Sequence, residues 1–182
     1  MSRTDARIRY TQGVLKQALL SFLQEKPINK ITVKEVCERA ELNRATFYAH
    51  YSDCFALLES IEEDLLEAFQ QSLKLVDSFD VTALIEAIYT MIEQQQEACR
   101  VLIFQNVCPN VLRRMISLAR DESISYWKRH LHHITDAELE MLYTHLSNGL
   151  MHVVVEGYEK YSREEVVRFV NRIVQCSLSQ FQ

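Results

Sequence analysis

The chain has 182 residues, 48% of them hydrophobic and 25% charged, with a net charge of −5, which fits one or two small soluble domains and excludes a disordered chain. It has only three glycines and two prolines, no two glycines lie close enough for a phosphate-binding loop, and no apolar run reaches membrane-spanning length, so an all-α fold of about nine helices is expected. Residues 1–52 carry a net charge of +4 and residues 53–182 a net charge of −9, the pattern of a basic head that meets a polyanion and an acidic body that does not.

In chain order, Ile8, Leu15, Ala18, Leu19, Phe22 and Leu23 recur at helical spacing, and Pro27 closes that element. Thr32-Val33-Lys34-Glu35 reads as a capping box opening a two-turn helix with Val33, Val36, Cys37 and Ala40 on one face. Glu41-Leu42-Asn43 breaks the pattern, and Asn43 can cap a second short helix, Arg44 to His50. Ser52 or Asp53 can cap a fourth helix through Leu57, Leu58, Ile61, Leu65 and Phe69. Asp80 can start a helix carrying Leu84, Ile85, Ile88 and Ile92, and an apolar stretch from Cys99 to Phe104 leads to Pro109, which suits a first helical position. The next helix is expected to reach about Ile134. Capping boxes at Thr135–Glu138 and Ser162–Glu165 open two more, the first to about Tyr161 and the second through Val166, Phe169, Val170, Ile173 and Leu178.

Two short helices joined by a three-residue break, with a long supporting helix before them, form a helix-turn-helix. The start of the second short helix offers amides and a positive dipole to phosphate. Arg44 and Ala45 at its tip can reach base edges, and Thr46, Tyr48 and His50 carry donors suited to phosphate oxygens. Thr32 and Lys34, at the start of the first short helix, complete the candidate DNA-binding set. Phe47 and Tyr51 lie four apart and share a face that packs inward.

The stretch from Ile31 to Tyr51, ITVKEVCERAELNRATFYAHY, resembles the DNA-binding domain of the TetR/AcrR family of transcriptional regulators. Gly149-Leu150-Met151, Glu156-Gly157-Tyr158 and the Ser-x-Glu-Glu at 162–165 resemble the C-terminal domain of a branch common in Firmicutes, which includes regulators resembling the dihydroxyacetone kinase activator. The resemblance implies a helix-turn-helix DNA-binding domain over 1–52 and an effector-binding and dimerisation domain over 53–182. It also implies a homodimer through residues 135–182, a double-stranded DNA operator as partner and a small-molecule effector. By position, Arg44 and Ala45 match the family's base-reading sites, and Thr46, Tyr48 and His50 its phosphate or groove contacts. The family usually carries a phosphate-contacting lysine where this chain has Cys54.

Tyr89, Phe104, Tyr126, Trp127, Tyr143 and His145 are the candidate lining of an effector pocket, each also suited to the core. His145 and His152, seven apart, share a helix face. His130, His132 and His133 do not, so neither a metal nor any other cofactor is expected. Cys54 at a helix start is where a thiol pKa would fall. Five cysteines with no CxxC, and an N-terminus without a signal-peptide pattern, point to reduced thiols in a cytoplasmic protein. No catalytic constellation stands out, so an enzyme is not expected. Two functions fit: a sequence-specific regulator, read as a repressor switched by an effector, and a coactivator of the same fold working through protein contacts.

Overall fold

A computed structural model describes residues 3–74 and 81–181. Among them are nine α-helices and no strand: α1 (Arg3–Leu23), α2 (Val33–Arg39), α3 (Arg44–Tyr48), α4 (Cys54–Lys74), α5 (Val81–Gln94), α6 (Gln96–Ala98), α7 (Pro109–His130), α8 (Asp136–Gly157) and α9 (Arg163–Leu178). The all-α expectation holds. Asp80, the expected start of α5, lies outside the described residues.

The chain packs as two compact units, Met1–Leu65 with Glu97–Val107, and Leu66–Gln96 with Cys108–Gln182. This packing division falls within α4 and brings a later segment into the first unit, so it does not follow the functional boundary expected at 52/53.

In the first unit α1 packs on α2, and α2 on α3. Leu15, Leu19, Val36, Phe47 and Leu57 are among its fully buried side chains. Arg39 donates to Ser21 Oγ at 2.9 Å and lies over the Phe22 ring, and Lys26, just past the C-terminal end of α1, approaches the same ring. Thr32 and Glu35 form the capping box of α2, Asn43 caps α3, and Asp53, rather than Ser52, accepts the Ala56 amide at the start of α4.

The break between α2 and α3 is a Schellman closure. The Leu42 amide reaches the Cys37 carbonyl at 2.9 Å, and Glu41 takes a left-handed φ of 53°. That conformation costs a residue bearing a Cβ about 1 kcal/mol or more, and glycine avoids it. Glu41→Gly should therefore raise the denaturation midpoint of the first unit by the equivalent of about 0.5–1 kcal/mol. A lower midpoint would show that the Glu41 side chain contributes more than its backbone strain costs.

In the second unit α7 packs on α8, α5 on α9 and α8 on α9. Arg120 grips Glu140 through two nitrogens, and Lys128 meets Asp136 at 2.8 Å. Arg163 joins α9 to α5 through Glu86, the Glu86 carbonyl and Glu93, with its guanidinium over Tyr89. A Cβ on Gly157 would come 3.3 Å from both Tyr161 and Val166, a close approach at the α8–α9 corner that favours the missing side chain.

Several ends differ from expectation. α7 stops at His130 rather than near Ile134, because Leu131 is extended and His133 left-handed. α8 stops at Gly157, with Tyr161 closing a turn back onto its carbonyl. α3 ends at Tyr48. The stretch Cys99–Phe104 continues α6 as a π-helical turn, with the Gln105 amide on the Arg100 carbonyl.

Candidate nucleic-acid interface and ligand cavity

Five residues are too few for a helix to stand alone in water. What holds α3 is Phe47, fully buried, with its ring edge-on to Tyr48 at 5.6 Å and tilted against Tyr51 at 6.0 Å. With Phe47 and Tyr51 turned inward, Arg44, Ala45, Tyr48 and Ala49 form the exposed face. Tyr48 is 58% exposed, unusual for a tyrosine on a packed element. The expected base-reading pair, Arg44 and Ala45, thus shares a face with Tyr48.

The other candidates differ in how free they are. Thr46 donates its hydroxyl to Asn43 Oδ1 at 3.0 Å, and the Thr46 amide takes the same oxygen at 2.7 Å, so its proton is already committed to the cap. Thr32 likewise donates to Glu35 at 2.8 Å. Both hydroxyls can still accept. Lys34 is well exposed and only loosely paired with Glu38 at 3.7 Å, so its ammonium can swing to a phosphate. His50 is half-buried, its ring tilted over Tyr51 at 6.3 Å.

Glu35 lies at the centre of this framework. The Lys26 ammonium beside it, then the Thr32 hydroxyl and amide, hold its carboxyl down at about 2. A carboxylate whose pKa is lowered on folding stabilises the fold above its ordinary range, and that contribution is lost as pH falls from about 4.5 through about 2. Melting of the first unit should therefore drop over that window. A Glu35→Gln variant should melt below the parent at neutral pH and converge on it in acid, and a gap that stays constant would contradict the linkage.

Cys54 does not behave as its position at a helix start suggests. It is 4% exposed, and burial pushes its thiol up to about 11, with the charge of Asp53 adding to the effect. The dipole that could activate a thiol is outweighed by desolvation. The side chain standing where the sequence resemblance implies a lysine is turned into the core.

The second unit holds a cavity of about 310 Å³. Of the six expected lining residues, Tyr126, Trp127 and Tyr143 come together there. Tyr89 is buried beneath Arg163 and against Tyr158, Phe104 sits in the π-helical turn, and His145 is on an exposed face of α8. Ser123, His130 and Ser147 line the cavity without having been expected there. His130 follows Tyr126 by one helical turn, the spacing that could have found it. Among the described residues no cluster of His, Cys, Asp or Glu could hold a metal, and no helix is long and apolar enough to cross a membrane.

No family model matches the chain. An uncharacterized HTH-type transcriptional regulator of Bacillus subtilis (strain 168), YxbF, is 37% identical over 62 residues, which make up 34% of this chain and 16% of that protein. A TetR transcriptional regulator from Streptococcus agalactiae 2603V superposes with a TM-score of 0.67 at 23% identity, over 94% of this chain and 97% of that one. The dihydroxyacetone kinase operon activator DhaS superposes with a TM-score of 0.55 at 16% identity, over 94% of this chain and 98% of that one. The chain has the all-α fold of TetR-family transcriptional regulators.

Proposed function

We propose that the chain is a sequence-specific DNA-binding repressor, acting as a homodimer and released from its operator by a small molecule held in the cavity of the second unit. The observation that carries the reading is the exposed face of α3, with Arg44, Ala45 and Tyr48 outward and Phe47 and Tyr51 anchoring the helix from behind. That is the arrangement a recognition helix needs to enter a major groove. Lys34 adds a mobile cation, and Thr32, Thr46 and His50 complete the proposed contact set. The DNA-binding domain is assigned to 1–52 and the effector-binding and dimerisation domain to 53–182. Dimerisation through 135–182 is supported by Phe169 and Ile173, one turn apart on α9 and 49% and 42% exposed, an apolar stripe that a second copy would cover. The effector contacts are assigned to Tyr126, Trp127 and Tyr143.

The test is binding of the purified chain to duplexes from the flanks of its own gene, against random duplex, at two salt concentrations. A specific site should bind at least about a thousandfold more tightly than random DNA, and affinity for both should fall with salt. A second reading, a coactivator working through protein contacts, is favoured by buried Cys54, which offers no cation to phosphate. Likeness in fold to DhaS, an operon activator, is consistent with it. Failure to bind any duplex at low salt would select it.

A further inference from the structure

Glu138, Met141, His145, Gly149, His152 and Glu156 are all exposed and follow one another at three or four residues, so they form one face of α8. Gly149 sits near the middle of that face. A glycine inside a helix is destabilising relative to alanine, so its place there calls for a reason. Gly157 has one within its own chain, its contact with Tyr161 and Val166. Gly149 does not: among the described residues, a Cβ built there meets no atom within 4 Å beyond the adjoining backbone of its own helix. What a missing side chain on an exposed face permits is the close approach of a second backbone.

At the C-terminal end of the same face lies a groove of about 570 Å³, between His152, Val153 and Gly157 of α8 and Tyr161, Val166 and Phe169. Its two carboxylates are already engaged, Glu156 with Lys160 at 2.9 Å and Glu165 with the Ser162 amide and hydroxyl, each at 2.9 Å. An apolar side chain therefore suits the groove better than a cation. At the N-terminal end of the face stands Met141, 63% exposed, a flexible apolar side chain whose sulfur packs well on aromatic rings. Met141 and Gly157 each lie eight residues from Gly149, about 12 Å along the helix. A closed dimer uses the same patch on both copies. A two-fold axis crossing α8 at Gly149 sets the two copies of the helix antiparallel, each residue before 149 opposite the one equally far after it. Met141 then enters the groove at Gly157 of the partner subunit. Glu138 meets Lys160 of the partner subunit, an opposite-charge pair formed twice, and along the stripe no two like charges are opposed.

We propose that a second copy of this chain docks with the two-fold axis crossing α8 at Gly149, so that Met141 of each subunit fills the groove at the α8–α9 corner of the other. This rests on the homodimer proposed above, and it names the axis and the contact that the exposed Phe169 alone does not. Two measurements on the full chain test it. In a Cys176→Ser background, which removes the exposed native thiol, Gly149→Cys should cross-link to its twin under mild oxidation. The rate should exceed that of Gly13→Cys, the other exposed glycine with open space around it, by at least about tenfold, because only the first pair is held within disulfide reach. Met141→Ala should raise the dimer dissociation constant, read by sedimentation over a dilution series, by about thirtyfold or more, since two buried side chains are lost per dimer. Met141→Leu, close in volume, should stay within about threefold of the parent. In a chain that dimerises, cross-linking no faster than for Gly13→Cys, or a change below about threefold for Met141→Ala, would overturn the register and leave the dimer standing. Should Met141→Ala fold poorly, the cross-linking rate decides alone. A single-chain mass for the parent at micromolar concentration would remove both the register and the dimer.

Discussion

Replacing Phe47 with alanine should cost the first unit about 3–5 kcal/mol, the usual loss for truncating a fully buried aromatic. The figure belongs at the high end because the site has little freedom to collapse. Phe47 is fixed through its backbone as well as its ring. Its amide bonds to the Asn43 carbonyl, and its carbonyl accepts the amides of His50 and Tyr51, each at 2.9 Å. A helix as short as α3 has no stability of its own to hold these bonds once the ring is gone. The loss should therefore reach function through geometry, since Arg44, Ala45 and Tyr48 keep a common face only while the helix persists. Circular dichroism should change little, because α3 contributes only five helical residues. The denaturation midpoint of the first unit, read by hydrogen exchange of the α1–α3 amides, should fall steeply, and DNA affinity with it. A loss below about 1 kcal/mol would mean that α3 is held by something other than Phe47. Phe47→Leu separates size from shape: it keeps most of the buried area, loses the aromatic contacts, and should recover more than half of the lost stability.

What could be read in the sequence, and what could not, follows from how local each cause is. The capping boxes at Thr32, Thr135 and Ser162 and the Asn43 cap depend on side chains three residues apart, and all four form. The inward pair Phe47 and Tyr51 was legible for the same reason, as one helical turn sets their common face. The Schellman closure was not, because its left-handed residue is Glu41 where a glycine would have announced it. Nor was the π-helical turn at Cys99–Phe104, which no local spacing encodes. The burial of Cys54 was hidden too: position alone suggested an activated thiol, and only packing decides that desolvation outweighs the dipole. The cavity divides along the same line. Tyr126, Trp127 and Tyr143 meet because α7 packs on α8. His145, two residues beyond Tyr143, faces nearly the opposite side of α8, and Tyr89 is covered by a guanidinium arriving from α9. Ser123 and Ser147 show nothing in sequence to mark them, since only the packing of α7 on α8 brings both to the cavity.

Arg44 and Tyr48 share one exposed face but should fail in different ways when changed. Arginine can donate two parallel hydrogen bonds to the edge of guanine, an arrangement that distinguishes that base from the other three. Tyr48 has one hydroxyl, suited to a phosphate oxygen, which is the same on every sequence. Arg44→Ala should weaken each half-site by about 1–3 kcal/mol on the preferred duplex and relax one base position, with a smaller loss on random DNA. Tyr48→Phe should weaken all duplexes alike, by about 0.5–1.5 kcal/mol, the worth of one hydrogen bond. Arg44→Lys removes the remaining ambiguity, because it keeps the charge and abolishes the planar fork. Its salt slope should match the parent, since the count of neutralised phosphates is unchanged, while its preference for the cognate base should fall almost as far as in Arg44→Ala. Among the described residues no ion pair holds the Arg44 guanidinium, so these substitutions should leave the head folded, as melting of each variant will verify. A lysine variant that kept full sequence preference would move base reading away from residue 44. Equal losses on every duplex for both Arg44→Ala and Tyr48→Phe would make the whole face a backbone contact.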